Sequence, residues 1–372
     1  MRDLHILVIG AGIGGCTAAI ALRRAGFAVD MIEKDPSWSV YGVGIIQQSN
    51  VLRAMKALDI IDDYICAGYG FDHVSVFLPD GTQVARIPNM SLVDGYPANI
   101  GIGRPALHKV LGEKAISAGV EVRLGITVQA MEDEGDRVRV RFSDGSEGSY
   151  DLVVGADGLY SATRRMVLPD APEPEFTGQS VWRYNLPRDE DVTGLCAFQG
   201  PTGLGLVPLS NEQMYMFVTT PEPGNPRFPR EMLAAQMRER LAGVPAPRIR
   251  ALAEQITDDA AVVYRPLETL FVEGAWHRGR TVLIGDAVHT TTPHLGQGAG
   301  MAIEDAIVLA EELSAHDDLE AALRAFHDRR YDRCRYIVEA SRAICLGQLG
   351  LGPAVDNAAA TREMSIRVAE PI

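Results

Sequence analysis

The chain has little of what marks a protein for secretion, for a membrane or for nucleic acid. Its five cysteines (Cys16, Cys66, Cys196, Cys334 and Cys345) are scattered, with no CxxC pair and no Cys/His zinc spacing. An odd, dispersed set speaks against a disulfide scaffold, predicts no metal site, and fits reduced thiols in a cytoplasmic protein, most of them core filler. Positive charge is in short supply: 35 Lys and Arg face 49 Asp and Glu, for a formal net charge of −14. That argues against nucleic acid, because phosphate binding needs a basic surface that releases counterions. It does not exclude small anionic substrates, since a basic pocket can sit inside an acidic protein. No apolar run is long enough to span a bilayer. Ile6 to Leu22 follows Arg2 and is almost free of polar residues, but it is 17 residues long, carries four glycines, and splits into a strand-like and a helix-like half. A spanning helix needs roughly 20 apolar residues, so no membrane partner is expected.

What remains is the composition of an ordinary globular enzyme, 47% apolar and 23% charged over 372 residues, with no internal repeat. That length accommodates two domains, or one domain with an insertion. The run HILVI at 5–9 reads as a strand buried on both faces. GAGIGG at 10–15 and CTAAIALRRAGF then read as a glycine turn and a helix with small residues toward the sheet, and AVDMIEKD at 28–35 as a second strand. In this βαβ unit Gly10 makes the tight turn, Gly12 lets backbone approach a pyrophosphate, and Gly15 lets helix pack on strand. Ile13 and Gly14 open the helix, whose free N–H groups attract phosphate. Glu33, 18 residues past Gly15, stands where a carboxylate accepts the hydroxyls of an adenosine ribose, with Lys34 beside it. An acid there favours NAD or FAD over NADP at this loop.

A second glycine-rich turn, GDAVHTTTPHLGQGAGMAIEDA at 285–306, follows the strand TVLIGD far downstream. One ligand gripped at both ends explains two such turns, and FAD has the length: Asp286 would accept from a ribityl hydroxyl, while Pro293, His294, Gly296 and Gly298 would lie by the flavin ring. A helix N-terminus stabilises a reduced, anionic flavin by up to about 2 kcal/mol.

Between the two turns, 121–158 alternates apolar and polar residues and predicts a small antiparallel sheet returning to the main one at DLVVGADG. From about 171 to 270 short aromatic-rich strands follow a Pro/acidic link, interrupted by a helix at 229–242. Helices are expected at 50–57, 104–118, 297–316 and 319–343, the last a charged and solvated one, and the tail beyond Gly350 has no pattern.

GAGIGG with Glu33, GADGLYSATR at 155–164 and the 285–306 segment together resemble the single-component FAD-dependent aromatic hydroxylases, the p-hydroxybenzoate and salicylate hydroxylase-like family. The three stand in that family's order and spacing over about residues 1–345. The resemblance implies an α/β fold: a Rossmann-like FAD-binding domain of the GR2 type (1–170 and 279–345, with a small substrate-side segment near 71–100), an inserted mixed β-sheet substrate domain (171–278), C-terminal helices and a tail (346–372). It implies FAD contacts from Gly44 in the GVGI turn, from Val128, from Arg104 to the pyrophosphate, and from Asp157, which is also tied to nicotinamide use. It further implies NADH or NADPH as a transient donor without its own Rossmann domain, and a flavin hydroperoxide that hydroxylates a small aromatic ring with dioxygen. Some relatives carry a histidine after the GxGI turn where this chain has Ile46-Gln47-Gln48. Tyr215 and His294 are the acid–base candidates, and Arg183, Tyr215 and Arg265 the candidates for holding a carboxylated substrate. A flavin reductase or oxidase, a halogenase and a non-catalytic FAD module are the alternatives. The three tryptophans do not form the halogenase pattern. Monomer and homodimer both remain open.

Overall fold

The structure, a computed structural model, describes residues 4–372; Arg2, the basic residue ahead of the first apolar run, lies outside them. Two large sheets organise the chain. The first has six strands in the order His277–Arg278, Thr281–Leu283, Leu152–Gly155, His5–Ile9, Ala28–Glu33 and Glu121–Leu124. All neighbours but the first pair run parallel. Its central strands read as unbroken apolar runs because helices cover one face and a small antiparallel sheet (128–150) the other. That small sheet is shorter than the alternation predicts: Glu121–Leu124 pairs with Ala28–Glu33 in the main sheet instead.

The second large sheet has seven strands, in the order Val263–Thr269, Glu175–Pro187, Gln213–Pro221, Leu204–Pro208, Leu195–Phe198, His73–Phe77 and Gln83–Pro88. Alternation decides its two faces. Trp182, Tyr184, Met214, Met216 and Val218 pack under the helices Leu233–Leu241 and Pro247–Glu254. Val181, Arg183, Tyr215, Phe217 and Thr219, one residue out of step, face the other way into a cavity. Strands from 73–88 thus join a sheet formed mostly by 175–269.

The helices Ile13–Arg24 and Gly298–Ala315 pack against each other, and a Cβ on Gly14 would lie 3.2 Å from the Ala302 Cβ. Small residues at this crossing bring the N-termini of both helices to one place. Leu319–Gln348 runs along Gly298–Ala315 and departs from the solvated face expected of it. Arg330 is fully buried, donating to Asp305 Oδ1 at 2.8 Å and to Glu304 Oε2 at 2.8 Å. Burial alone would raise the Asp305 pKa, yet His289 and Arg330 beside it draw it down to about 2. The tail also departs from expectation. Asn357–Ala369 is a helix, capped by the Asp356 carboxylate accepting from Ala358 and Ala359 N–H and anchored by buried Met364 and Val368. No helix among the described residues is long and apolar enough to cross a membrane.

Candidate active site

Both glycine turns open onto one cavity of about 1400 Å3. The first is built from behind. Gly10 takes φ +98° and closes the turn by donating to Ile32 O at 2.9 Å, and a Cβ on Gly15 would stand 1.8 Å from Gly10 O. Neither residue lines the cavity; they set the course of the chain that does. Gly12, Ile13 and Gly14 form the wall, and a Cβ on Gly12 would meet nothing within 4 Å. The helix Ile13–Arg24 has no side-chain cap, and its first intrahelical bond is Cys16 N–H to Gly12 O. The preceding N–H groups are therefore left for a ligand. Trp38 Nε1 and His108 Nε2 both donate to Ala11 O, at 2.9 and 3.0 Å, and hold the loop.

Glu33 and Lys34 line the same end. The Glu33 carboxylate accepts from Ala11 N–H at 2.9 Å and from Asp35 N–H at 3.0 Å, and a carboxylate has lone pairs left for two hydroxyls.

At the far end Gly285 (φ +60°) turns the chain into Asp286, and Gly296 (φ +68°) ends the TTPHLG segment. Asp286, Pro293, His294, Gly296 and Gly298 all line the cavity. The helix Gly298–Ala315 also lacks a side-chain cap. The Asp286 side chain is exposed to the cavity, within its enclosing walls. Lost hydration pushes its pKa up, opposed by His289 and Arg104. His294 donates and accepts within the protein: Nδ1 pairs with Thr292 Oγ1 at 2.9 Å and Nε2 with Gln348 Oε1 at 3.2 Å. Because Gln348 Oε1 also accepts from Gln179, the pattern is satisfied by a neutral ring with its proton on Nε2. Burial pulls its pKa down to about 4, so it is no proton donor near neutrality.

Gly44 and Arg104 complete the near wall. Arg104 N–H holds Val43 O at 3.0 Å, Asn185 Nδ2 holds Gly42 O at 2.6 Å, and a Cβ on Gly44 would strike the Tyr215 ring at 2.3 Å. Tyr215 and Arg183 face the cavity from neighbouring strands, and neither side chain has a hydrogen bond or ion pair among the described residues. The same holds for the Arg104 guanidinium. Burial, then the Arg104 charge, lowers Arg183 to about 10, which leaves it cationic at neutral pH. Burial also raises the Tyr215 pKa, partly offset by Arg183 and Arg104, so the phenol keeps its proton.

Two expected residues lie off the cavity wall, and a third lines it only at the rim. Asp157 does not line the cavity; its carboxylate accepts from Ser161 Oγ and from Thr163 N–H and Oγ1 (both 3.0 Å), fastening the start of Ala162–Val167. The Val128 side chain packs with Leu7, Ile9 and Phe142 under the small sheet. Arg265 stands at the rim, exposed, its guanidinium 4.0 Å from the Tyr41 ring centroid. Conversely, Gln48, Gln348 and the final helix line the cavity without having been singled out in the sequence. Gln48 follows the GxGI turn, which was a usable signal; Gln348 and the final helix reach the site only through helix packing.

A cluster of His289, Asp305 and Cys334 lies behind the second turn. Arg330 already occupies Asp305 Oδ1, and Gly285 N–H and His289 Nε2 occupy Oδ2. It is therefore an ion-pair network rather than a cation cage.

Comparison with known proteins agrees with this architecture. Residues 3–341 match the family model described as FAD binding domain. The aurachin C monooxygenase/isomerase of Stigmatella aurantiaca is 35% identical over 359 residues (93% of this chain, 90% of that protein). The 6-hydroxynicotinate 3-monooxygenase of Bordetella bronchiseptica is 32% identical over 356 residues (91% and 90%). The crystal structure of Klebsiella pneumoniae HpxO complexed with FAD and uric acid superposes with a TM-score of 0.82 at 28% identity, covering 99% of this chain and 93% of that one. The chain belongs to the FAD-binding-domain family and is an FAD-dependent monooxygenase of the class A aromatic hydroxylase type. Its own residues fit the cofactor: two uncapped helix N-termini, an open position at Gly12 and the opposite charges of Arg104 and Asp286 lie along one cavity.

Proposed function

We propose that the enzyme hydroxylates an ionisable aromatic or heteroaromatic ring, taking electrons from NADH or NADPH and oxygen from dioxygen, in the cytoplasm. FAD would be held with its diphosphate at Gly12–Gly14 and near Arg104, its ribose hydroxyls at Glu33, and its ribityl and ring end at Asp286 and Gly296–Gly298. When bound, it supplies two-electron transfer and an activated oxygen atom. One observation carries the substrate reading: the Arg183 guanidinium and the Tyr215 phenol face the cavity with no hydrogen-bond or ion-pair partner among the described residues.

Two donors facing the cavity, one charged, favour the anionic form of whatever oxygen or carboxyl they contact. An oxyanion on a ring makes the ring electron-rich, which is what electrophilic oxygen transfer needs. Tyr215 acts here as a donor that orients and polarises, and keeps its proton. His294, neutral and fully hydrogen-bonded, shapes the TTPHLG segment rather than moving a proton. The wall around them is largely apolar, which limits water at the reacting ring. Arg265, engaged with Tyr41 at the rim, is left out of this contact, and NAD(P)H would reach the flavin through the same cavity.

The test is substrate-stimulated oxidation of NADH and NADPH over phenols, aromatic acids and hydroxylated N-heterocycles, with product mass. Tyr215→Phe should lower kcat/KM by about 10- to 150-fold, the worth of a hydrogen bond to a charged group. If no ring compound stimulates oxidation by the flavin-loaded enzyme, the reading fails.

A further inference from the structure

One cavity would hold FAD and substrate together, and its sheet floor is divided. The ionic side chains Arg183 and Arg265 stand on the strands Glu175–Pro187 and Val263–Thr269 at one edge. Toward the other edge the cavity-facing residues are Leu195, Ala197, Val74, Val76 and Ile87, without a polar group among them. Register makes these a continuous strip rather than scattered positions: Leu195 pairs with Val74, Ala197 with Val76, and Val74 with Ile87.

The strip continues to the mouth. Ile87, Met90 and Ile366 line the cavity and remain 43%, 67% and 60% exposed. Met90 and Ile366 come to the same end of the molecule through the helix Ser49–Ala57. Ser49 Oγ accepts from Leu92 N–H, and Arg53 donates to the carbonyls of Val368, Ala369 and Glu370. Large apolar side chains that converge on the opening of a cavity, rather than lying singly on the surface, mark a route for an apolar ligand.

Resting on the hydroxylase reading above, we propose that the substrate ring carries an apolar chain, which lies along the Leu195–Val74–Ile87 strip and leaves toward Ile87, Met90 and Ile366. Tyr215 is three strands from His73–Phe77, about 14 Å at the usual strand spacing. That separation holds an aromatic ring and a chain of roughly six carbons. The ring end is fixed by the two partnerless donors, and the chain end by desolvation alone. Such a site selects for length rather than for polar decoration.

The experiment is a binding titration of FAD-loaded enzyme, read by flavin difference absorbance, with 2-alkyl-4-hydroxyquinolines and 4-alkylphenols from methyl to nonyl. Dissociation constants should fall by about fourfold per methylene over the first several carbons and then level off. Ala197→Phe, which fills the strip, should cut the nonyl-to-methyl affinity ratio by at least about tenfold. Val76→Ser should cut it less and serves as the variant that keeps strand packing. If methyl and nonyl members of both series bind equally, the chain site is overturned and the hydroxylase reading survives. If no member of either series binds while another ring compound still stimulates NADH or NADPH oxidation, the chain site is overturned and the hydroxylase reading stands.

Discussion

Gly12 separates cofactor binding from folding more cleanly than other positions on the wall. Its φ of −78° and ψ of −168° suit any residue, and a Cβ there meets no protein atom within 4 Å. In Gly12→Ala two small folding effects oppose each other. The unfolded chain loses freedom, a gain of about 0.4–1 kcal/mol, while alanine is a poorer N-cap by a similar amount. Apoprotein stability should therefore stay within about 1 kcal/mol of the parent, as read by urea unfolding. The added methyl nonetheless points into space that a diphosphate would need, and overpacking costs about 1–3 kcal/mol, which weakens FAD binding by about 5- to 150-fold. Gly15→Ala is the contrast. Its Cβ would stand 1.8 Å from the Gly10 carbonyl oxygen, a backbone atom that cannot yield cheaply, so the apoprotein itself should lose about 3 kcal/mol or more. The pair is measured by unfolding of apoprotein and by quenching of flavin fluorescence on binding. A folded Gly12→Ala protein with parental FAD affinity would refute the placement of the diphosphate.

Three further expectations follow from the same geometry. Asp286→Ala should fold and lose FAD on gel filtration, with affinity down by about 10- to 150-fold; full flavin retention would count against a grip at both turns. Asp305→Ala strips a buried acceptor from Arg330, His289 and Gly285 at once. It should destabilise by about 3–5 kcal/mol in denaturant unfolding, and a loss below about 1 kcal/mol would show that the network relaxes. For His294 the sign follows from a folded pKa near 4 against an ordinary 6.5. Above pH 6.5 the ring is neutral in both states and contributes nothing. As pH falls from 6.5 toward 4 the unfolded chain takes up the proton first, so apoprotein stability declines across that window. His294→Asn should flatten that decline, and an unchanged difference between pH 7 and pH 4.5 would place the proton elsewhere.

Much of the near end of the site was legible in the sequence because it is local. GAGIGG with Glu33 specifies a turn of positive φ, a close helix and an acid at a strand end within about thirty residues. The GDAVH turn announces itself in the same way. The tail was not legible: Asp356 as a cap and the pair Met364 and Val368 are too sparse a pattern until a neighbouring helix supplies the surface they cover. Arg330 misled for a related reason. Charge in the RAFHDRRYDRCR run suggests water, and only the carboxylates of Glu304 and Asp305 on an adjacent helix make its burial affordable.

By itself, then, the sequence determined what backbone chirality, glycine placement and hydrophobic period dictate: the strands, the two glycine-rich turns, the family, and the alternation that sends Trp182 one way and Arg183 the other. Tertiary structure alone decided which turns share a cavity, where the Asp157 and Val128 side chains are held, and that the Arg183, Tyr215 and Arg104 side chains meet with no hydrogen-bond partner among the described residues. The reason is that strand register and helix docking depend on residues hundreds of positions apart. No local pattern encodes the burial and the neighbouring charge that set what a side chain can do.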